Sequence, residues 1–288
     1  MKPPVAELPE LEALKDAVTK RFVGERLLRA SVHLPVILKT VEPPLSVLSG
    51  NRLGGVERIG KHLIFQWDSG VFLVTHLMLT GWMKVCASAS GLNKYDEFVL
   101  SWEIGQDLRI YEMGQQRMAA VYVVPDPQEV PSVAKTGIDP LSQDFTEGGL
   151  SRLLLGRRMT LKAFLTDPKL LSGIGNAFSN EILYVAKISP YAISVKISPE
   201  ELKRLYQAIR GVLSETTALI LQEVEDRFPK KADRQSFLKV HNREGQPCKV
   251  CGDKIAVIWK GKSGTFYCPG CQAGGRKYND RRFDKFLK

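Results

Sequence analysis

The chain has 288 residues, 44% of them apolar and 25% charged, the balance of a soluble protein with two domains and room for a small appendage. No apolar run approaches the roughly 18 residues needed to span a bilayer. The first twenty residues, mixed and acidic, do not form a secretory leader, so the expected location is the cytoplasm. The net charge is +10, and residues 230–288 carry all of that excess, with 15 Lys/Arg against 5 Asp/Glu. A basic segment of this kind is the electrostatic footprint of a polyanionic partner.

Leu8, Leu11, Leu14, Val18 and Phe22 recur at helical spacing, with Pro9 in a first turn, and predict a helix over 7–22. Short β-branched and aromatic runs such as VFLVTHLMLTGWMKV and FVLSWEI predict strands through most of 26–120. The stretch 123–145 holds four prolines and few helix formers, and reads as an interdomain linker. From 147 to 228 the pattern turns helical. SPEELKRLYQAIRGVL carries a capping box, Ser198 with Glu201 three residues later and Pro199 in the first turn. The linear partition is therefore a strand-rich domain over 1–125, a linker over 126–146, a helical module over 147–240, a cysteine module over 241–275 and a basic tail over 276–288.

Cys248-Lys-Val-Cys251 and Cys268-Pro-Gly-Cys271 are separated by 16 residues. The spacing C-x2-C-x16-C-x2-C is that of a zinc ribbon. Each CxxC turn places two thiolates on one tetrahedral ion, and two turns close the shell, so one structural Zn2+ is expected that does no chemistry. Cys86 is left as an ordinary small residue. The ribbon's hairpin, IAVIWKGKSGTFYC, puts Lys260 and Lys262 near its tip as expected phosphate contacts. Gly173-Ile174-Gly175-Asn176 lies between two helical segments. Glycines there let a backbone approach closely, and the N–H groups opening the next helix suit a phosphate. A plain helix-capping turn has the same appearance.

Taken in order, AELPELE, RIGKHLIFQWDSGVFLVTHLMLTGWMKV, GIDPLSQDF, LLSGIGNAFSNEIL and FLKVHNREGQPCKVCG with GTFYCPGCQ resemble the formamidopyrimidine-DNA glycosylase/endonuclease VIII family from about residue 6 to 272. The resemblance implies an α+β multidomain fold with an N-terminal β-sandwich, a C-terminal helix–two-turn–helix (H2TH) bundle and a zinc ribbon. It implies a base-excision repair glycosylase, with or without lyase action at abasic sites. The partner is double-stranded DNA holding damaged bases or abasic sites, the target nucleotide turned out of the stack. The expected protein is a monomer, nucleoid-associated when bound to DNA.

Family chemistry uses a free N-terminal amine that attacks C1′. An α-amine has a pKa of about 8 against about 10.4 for lysine, so roughly a tenth is neutral near pH 7. The amine's position maps onto Ala6, the adjacent glutamate onto Glu7, the phosphate-binding lysine onto Lys61 and the DNA-contacting asparagine onto Asn176, beside Gly173 and Gly175. His76 matches a histidine before the wedge. The three residues that fill the gap left by the extruded base map onto Leu79, Gln116 and Met118. YEMGQQRMAAVY aligns in two ways, with Arg117 the rival to Gln116.

Two departures stand out. Ala6 replaces the family's proline behind the stretch MKPPV, so it carries an amine only as the mature N-terminus, for instance if translation starts at Val5. Ser263 replaces the hairpin arginine, removing a bidentate phosphate contact. They open a second reading, a catalytically silent protein that binds damaged DNA. A third, an unrelated zinc-ribbon factor acting on nucleic acid, needs only the cysteines and the basic segment.

Overall fold

In the computed structural model, residues 5–225, 227–261 and 263–278 are described. Helix α1 (Leu8–Phe22) starts at Glu7. The Glu7 N–H donates to Glu10 Oε2 at 2.9 Å, within a reciprocal capping box. Leu11, Leu14, Val18 and Phe22 come round to one face and are fully buried.

Eight strands follow: β1 (Leu27–Val32), β2 (Leu53–Ile59), β3 (His62–Trp67), β4 (Phe72–His76), β5 (Gly81–Ala87), β6 (Asp96–Trp102), β7 (Gln106–Glu112) and β8 (Ala120–Val124). They form two four-stranded antiparallel sheets, ordered β1-β6-β7-β5 and β2-β3-β4-β8. Leu63, Phe65, Trp67, Val121 and Val123 of one sheet share a core with Phe98, Leu100, Trp102, Leu108 and Ile110 of the other, and with the apolar face of α1. Alternating residues thus face inward, as two facing sheets require. Trp102 stacks between Phe22 at 4.7 Å and Trp67 at 5.6 Å. The reverse face of the second sheet is also apolar, with Ile64, Val74 and Val124. It is covered by Val130 and Val133 around the short helix α2 (Pro131–Ala134).

The remaining elements are α3 (Glu147–Leu154), α4 (Leu161–Thr166), α5 (Asn176–Val185), α6 (Pro199–Glu223), β9 (Ala256–Lys260), β10 (Ser263–Tyr267) and α7 (Pro269–Ala273). The capping box read from the sequence opens α6. The Ser198 N–H donates to Glu201 Oε2 at 2.9 Å, and the Glu201 N–H to Ser198 Oγ at 3.2 Å. No helix among the described residues is long and apolar enough to cross a membrane.

The chain divides into two compact units, 1–136 with 217–234, and 137–216 with 235–288. This differs from the linear partition in two places. Residues 126–146 are not a free linker, because 130–133 cover a sheet while 137 onward belongs to the helical unit. Residues 217–234 are not part of the helical module but return to the sheet unit. Phe228 joins the sandwich core, and Trp82 Nε1 donates to the Pro229 carbonyl at 3.0 Å. The basic tail lies outside the described residues from 279 onward.

Candidate functional site

In the sheet unit, Ala6 and Glu7 are buried at 4% and 1% exposure, just ahead of α1. Two carboxylates so close in an apolar setting need a cation. Arg234, itself buried, supplies it at 2.8 Å from Glu10 and 3.9 Å from Glu7. Burial still pushes the Glu10 carboxyl above its ordinary value, against the pull of Arg234 and with the push of Glu7.

Lys61 occupies the two-residue turn between β2 and β3, next to Gly60 at φ +59°. A tight turn of this hand favours glycine at its first position. Arg58 braces the turn, donating to the Gly60 carbonyl at 3.1 Å and to Glu12 Oε1 of α1 at 2.6 Å. Beside it, His62 and His76 meet edge to face at 4.6 Å. His62 Nε2 lies 2.8 Å from Ser132 Oγ, and burial lowers its pKa to about 4. His76 Nδ1 accepts the Met78 N–H at 2.9 Å, so its Nε2 carries the hydrogen of the neutral ring. Burial first, then His62 and Lys61, lower its pKa to about 3.

That same bond shapes the 77–81 turn. Met78 adopts φ +52°, and Gly81 is obligatory because a Cβ there would lie 2.5 Å from the Leu77 carbonyl oxygen. The turn presents Leu79, half exposed at 50%. Glu112 ties it to the 113–119 loop: Oε1 accepts Thr80 Oγ1 at 2.7 Å, while Oε2 accepts the N–H groups of Met118 and, at 2.8 Å, Ala119. Leu79 and exposed Met118 and Gln116 are thereby carried on two loops held by one carboxylate. Arg117 points elsewhere, with Nη2 donating to the Lys94 carbonyl at 3.1 Å and Nε 3.5 Å from Glu97. Glu112 was not singled out in the sequence; a lone glutamate ending a strand carries no local signal.

The returning segment was likewise unmarked. Arg227 binds Asp233 through both guanidinium nitrogens at 2.8 and 2.9 Å, and Asp233 Oδ2 also accepts the Lys230 N–H at 2.6 Å. Inside the loop so closed, Lys231 Nζ donates to the Thr80 carbonyl at 2.5 Å.

In the helical unit, α4 and α5 are joined by residues 167–175. Gly137 and Ile138 bind this connection through Gly137 N–H to the Pro168 carbonyl at 2.7 Å and Ile138 N–H to that of Leu170 at 3.2 Å. The approach is so close that a Cβ on Gly137 would sit 2.5 Å from the Leu170 carbonyl carbon. Gly173 takes φ +79°, Gly175 is the extended N-cap and Asn176 opens α5. Asn176 Nδ2 donates to the Gly264 carbonyl at 3.1 Å, and its Oδ1 accepts from Ser263 Oγ at 3.1 Å. The GxGN turn and the start of β10 are therefore one structure. Lys260 is exposed at the end of β9, paired with Ser263; Lys262 lies outside the described residues.

The sulfurs of Cys248, Cys251, Cys268 and Cys271 all lie within 4.8 Å of one another, with Cys248 to Cys271 at 3.8 Å and Cys251 to Cys268 at 3.4 Å. Tetrahedral zinc with Zn–S bonds of about 2.3 Å needs sulfurs about 3.8 Å apart. The set fits one structural Zn2+, with all four positions filled by protein. Tyr184 of α5 brings its hydroxyl to 3.2 Å from Cys248 Sγ. Glu181, one turn earlier and fully buried, accepts the main-chain N–H groups of Lys239, Val240 and His241 at 2.7, 2.9 and 2.8 Å. Burial pushes its carboxyl up while these three bonds pull it down. Cys86 is half-buried on β5, its thiol raised by burial.

Comparison with known proteins gives one answer along the chain. The formamidopyrimidine-DNA glycosylase N-terminal domain matches residues 5–119, the H2TH domain of the same glycosylase 136–225, and the zinc finger found in FPG and IleRS 245–274. The formamidopyrimidine-DNA glycosylase of Pelotomaculum thermopropionicum is 30% identical over 92% of this chain and 98% of its own length. That of Methylococcus capsulatus is 31% identical over 92% and 99%. The Lactococcus lactis Fpg solved with abasic-site DNA superposes with a TM-score of 0.84 at 25% identity, covering 93% of this chain and 99% of its own. The same protein with FAPY-dG DNA gives 0.83, also at 25% identity, over 93% and 100%. Three domain models in the right order, on the two sheets, the GxGN turn and the four-thiolate ribbon, leave a single assignment: this chain belongs to the formamidopyrimidine-DNA glycosylase family.

Proposed function

We propose that this protein is a base-excision repair glycosylase that removes a damaged base from duplex DNA, acting as a monomer in the cytoplasm at the nucleoid. The observation that carries the reading is the double hydrogen bond joining Asn176 to Ser263 and Gly264. It sets the N–H groups opening α5 beside the tip of a basic, metal-held hairpin. Aligned helix N–H groups and neighbouring cations are what a phosphate backbone binds. Asn176, Gly173, Gly175 and Lys260 serve that contact, as does Lys262. In the sheet unit, Lys61 takes a phosphate near the target nucleotide. Neutral His76 offers an Nε2–H donor, and Leu79, Met118 and Gln116 are the side chains that replace the extruded base in the stack. Arg117 is committed to Glu97 and the Lys94 carbonyl, which favours Gln116 for that role. Glu7 handles protons at the sugar.

The test is base release from duplexes carrying, one at a time, an oxidised purine, a formamidopyrimidine and an oxidised pyrimidine. Release from at least one, lost in Glu7→Gln, is expected. No release from any of them by protein that still binds the duplexes overturns the reading.

A further inference from the structure

The side chains read as the wedge sit on two loops that the topology lays side by side. Residues 77–80 pass from β4 to β5 and residues 113–119 from β7 to β8, each leaving one sheet for the other. β4 pairs with β8 as far as His76 opposite Ala120, and β5 with β7 from Gly81 opposite Glu112. The ladders stop at those pairs. Between them the loops carry Leu79 on one side and Gln116 and Met118 on the other.

Thr80 is where the loops meet. Its Oγ1 donates to Glu112 Oε1 at 2.7 Å and stands 3.4 Å from the Gln116 carbonyl oxygen. The second loop comes so near that a Cβ on Gly114 would lie 2.7 Å from Thr80 Oγ1. Glu112, fully buried, passes the link on by accepting the N–H groups of Met118 and Ala119. Bonds to a buried carboxylate are stronger than neutral ones, so the tie is firm. On its other side, the Thr80 carbonyl accepts from Lys231 Nζ at 2.5 Å. That lysine is itself anchored, because Trp82 Nε1 of β5 holds the Pro229 carbonyl at 3.0 Å and the Arg227–Asp233 pair closes the loop around it. One threonine thus touches both wedge loops and the returning segment.

Resting on the glycosylase reading above, we propose that Thr80 is the positioning residue of the wedge, locking Leu79, Gln116 and Met118 into one unit that opens the stack, with Lys231 as its rear support. A side chain that displaces a base must sit on a backbone that resists the stack, and such placement needs locked supports. The part played by Thr80 is in extrusion, not in duplex affinity or in the chemistry at C1′.

The experiment is single-turnover base release by the full chain from whichever of the three lesion duplexes above it acts on. Each duplex is made in two forms, with the lesion opposite a normal base and opposite a stable abasic analogue, where no pairing resists extrusion. A 2-aminopurine beside the lesion brightens as the stack opens. Thr80→Val removes the hydroxyl and keeps the β-branched shape. It is expected to slow release from the paired duplex about tenfold, the worth of one hydrogen bond to a charged group. The fluorescence rise slows with it, while release from the unpaired duplex and affinity for intact duplex stay unchanged. Thr80→Ser restores the rate, and Lys231→Met slows the paired duplex selectively, as Thr80→Val does. Thermal melts confirm that each variant is folded. Equal slowing on both duplexes, a fluorescence rise at the unmodified rate, or full-rate release from the paired duplex by folded Thr80→Val overturns the proposal and leaves the glycosylase reading in place. A Thr80→Ser protein as slow as Thr80→Val also overturns it, and full-rate release by Lys231→Met strikes out the rear support. No base release by the unmodified protein from any duplex removes both.

Discussion

Ser263 Oγ donates to Asn176 Oδ1 across 3.1 Å, from the first residue of β10 to the first of α5. The hydroxyl fixes which way the asparagine amide faces, and leaves one Nδ2 hydrogen beyond the bond to Gly264. Ser263→Ala is expected to weaken duplex binding about fivefold, the worth of one net hydrogen bond of about 1 kcal/mol. Ser263→Arg places a guanidinium at the hairpin tip. It is expected to tighten binding and steepen the slope of log K against log salt by about one. Fluorescence anisotropy titrations across salt concentrations check both; an unchanged slope in Ser263→Arg rejects a phosphate at this position.

Zinc removal is expected to dismantle the ribbon and abolish DNA binding, because so short a hairpin has little core apart from its metal. Metal analysis should find one zinc per chain, and Cys268→Ser should lower that content. Tight duplex binding by chelated, metal-free protein contradicts this.

The histidine pair makes stability pH-dependent. The folded pKa values, about 4 for His62 and about 3 for His76, lie below the ordinary 6.5, so the unfolded chain binds more protons between them. Stability therefore rises with pH through this window and is lost as pH falls from 6.5 towards 4. The share from buried His62 is roughly 3 kcal/mol, at about 1.4 kcal/mol per unit. Urea midpoints of the protein and of His62→Gln, taken at pH 4.5 and 7, should converge at the acid end; parallel curves sink the assignment.

Glu97 acts in the opposite sense. It is 1% exposed, and burial, with repulsion from Glu112 against attraction to Arg117, raises its carboxyl to about 7. The folded state binds the extra proton between 4.5 and 7, so this group costs stability as pH rises through that range. Glu97→Gln is expected to raise the denaturation midpoint at pH 8, by up to roughly 3 kcal/mol, and to change little at pH 4.5. An equal gain at both pH values indicates packing rather than titration.

What was legible in the sequence is what neighbours along the chain decide. The CxxC pairs, the Ser198–Glu201 box and the glycines before Asn176 are local geometry: the four sulfurs cluster, the box forms and the glycines lie in the turn that opens α5. The β-branched and aromatic runs were legible as strands because such side chains suit a half-buried pleated surface, while their arrangement as a sandwich came from the family resemblance. Lys231 and Arg234 looked like ordinary cations of a basic segment, because their contacts with Thr80 and Glu10 depend on Phe228 and Pro229 docking on strands more than a hundred residues earlier. Glu112 and Glu181 escaped notice for the same reason, since most of their partners are backbone N–H groups, which every residue type offers alike. The contact that favours Gln116 over Arg117 in the proposed role comes from Glu97, on a strand about twenty residues earlier.

Glu181 gathers three main-chain N–H groups from the approach to the ribbon, and Tyr184 on the same helix reaches a zinc-binding sulfur. The metal module is consequently rooted in α5 and is no interchangeable cassette. A chimera that imports residues 241–275 from a relative brings the cysteines but leaves their moorings behind. Recombination between relatives should respect a seam placed ahead of Asn176, and a change in the 239–241 backbone should be answered on the helix.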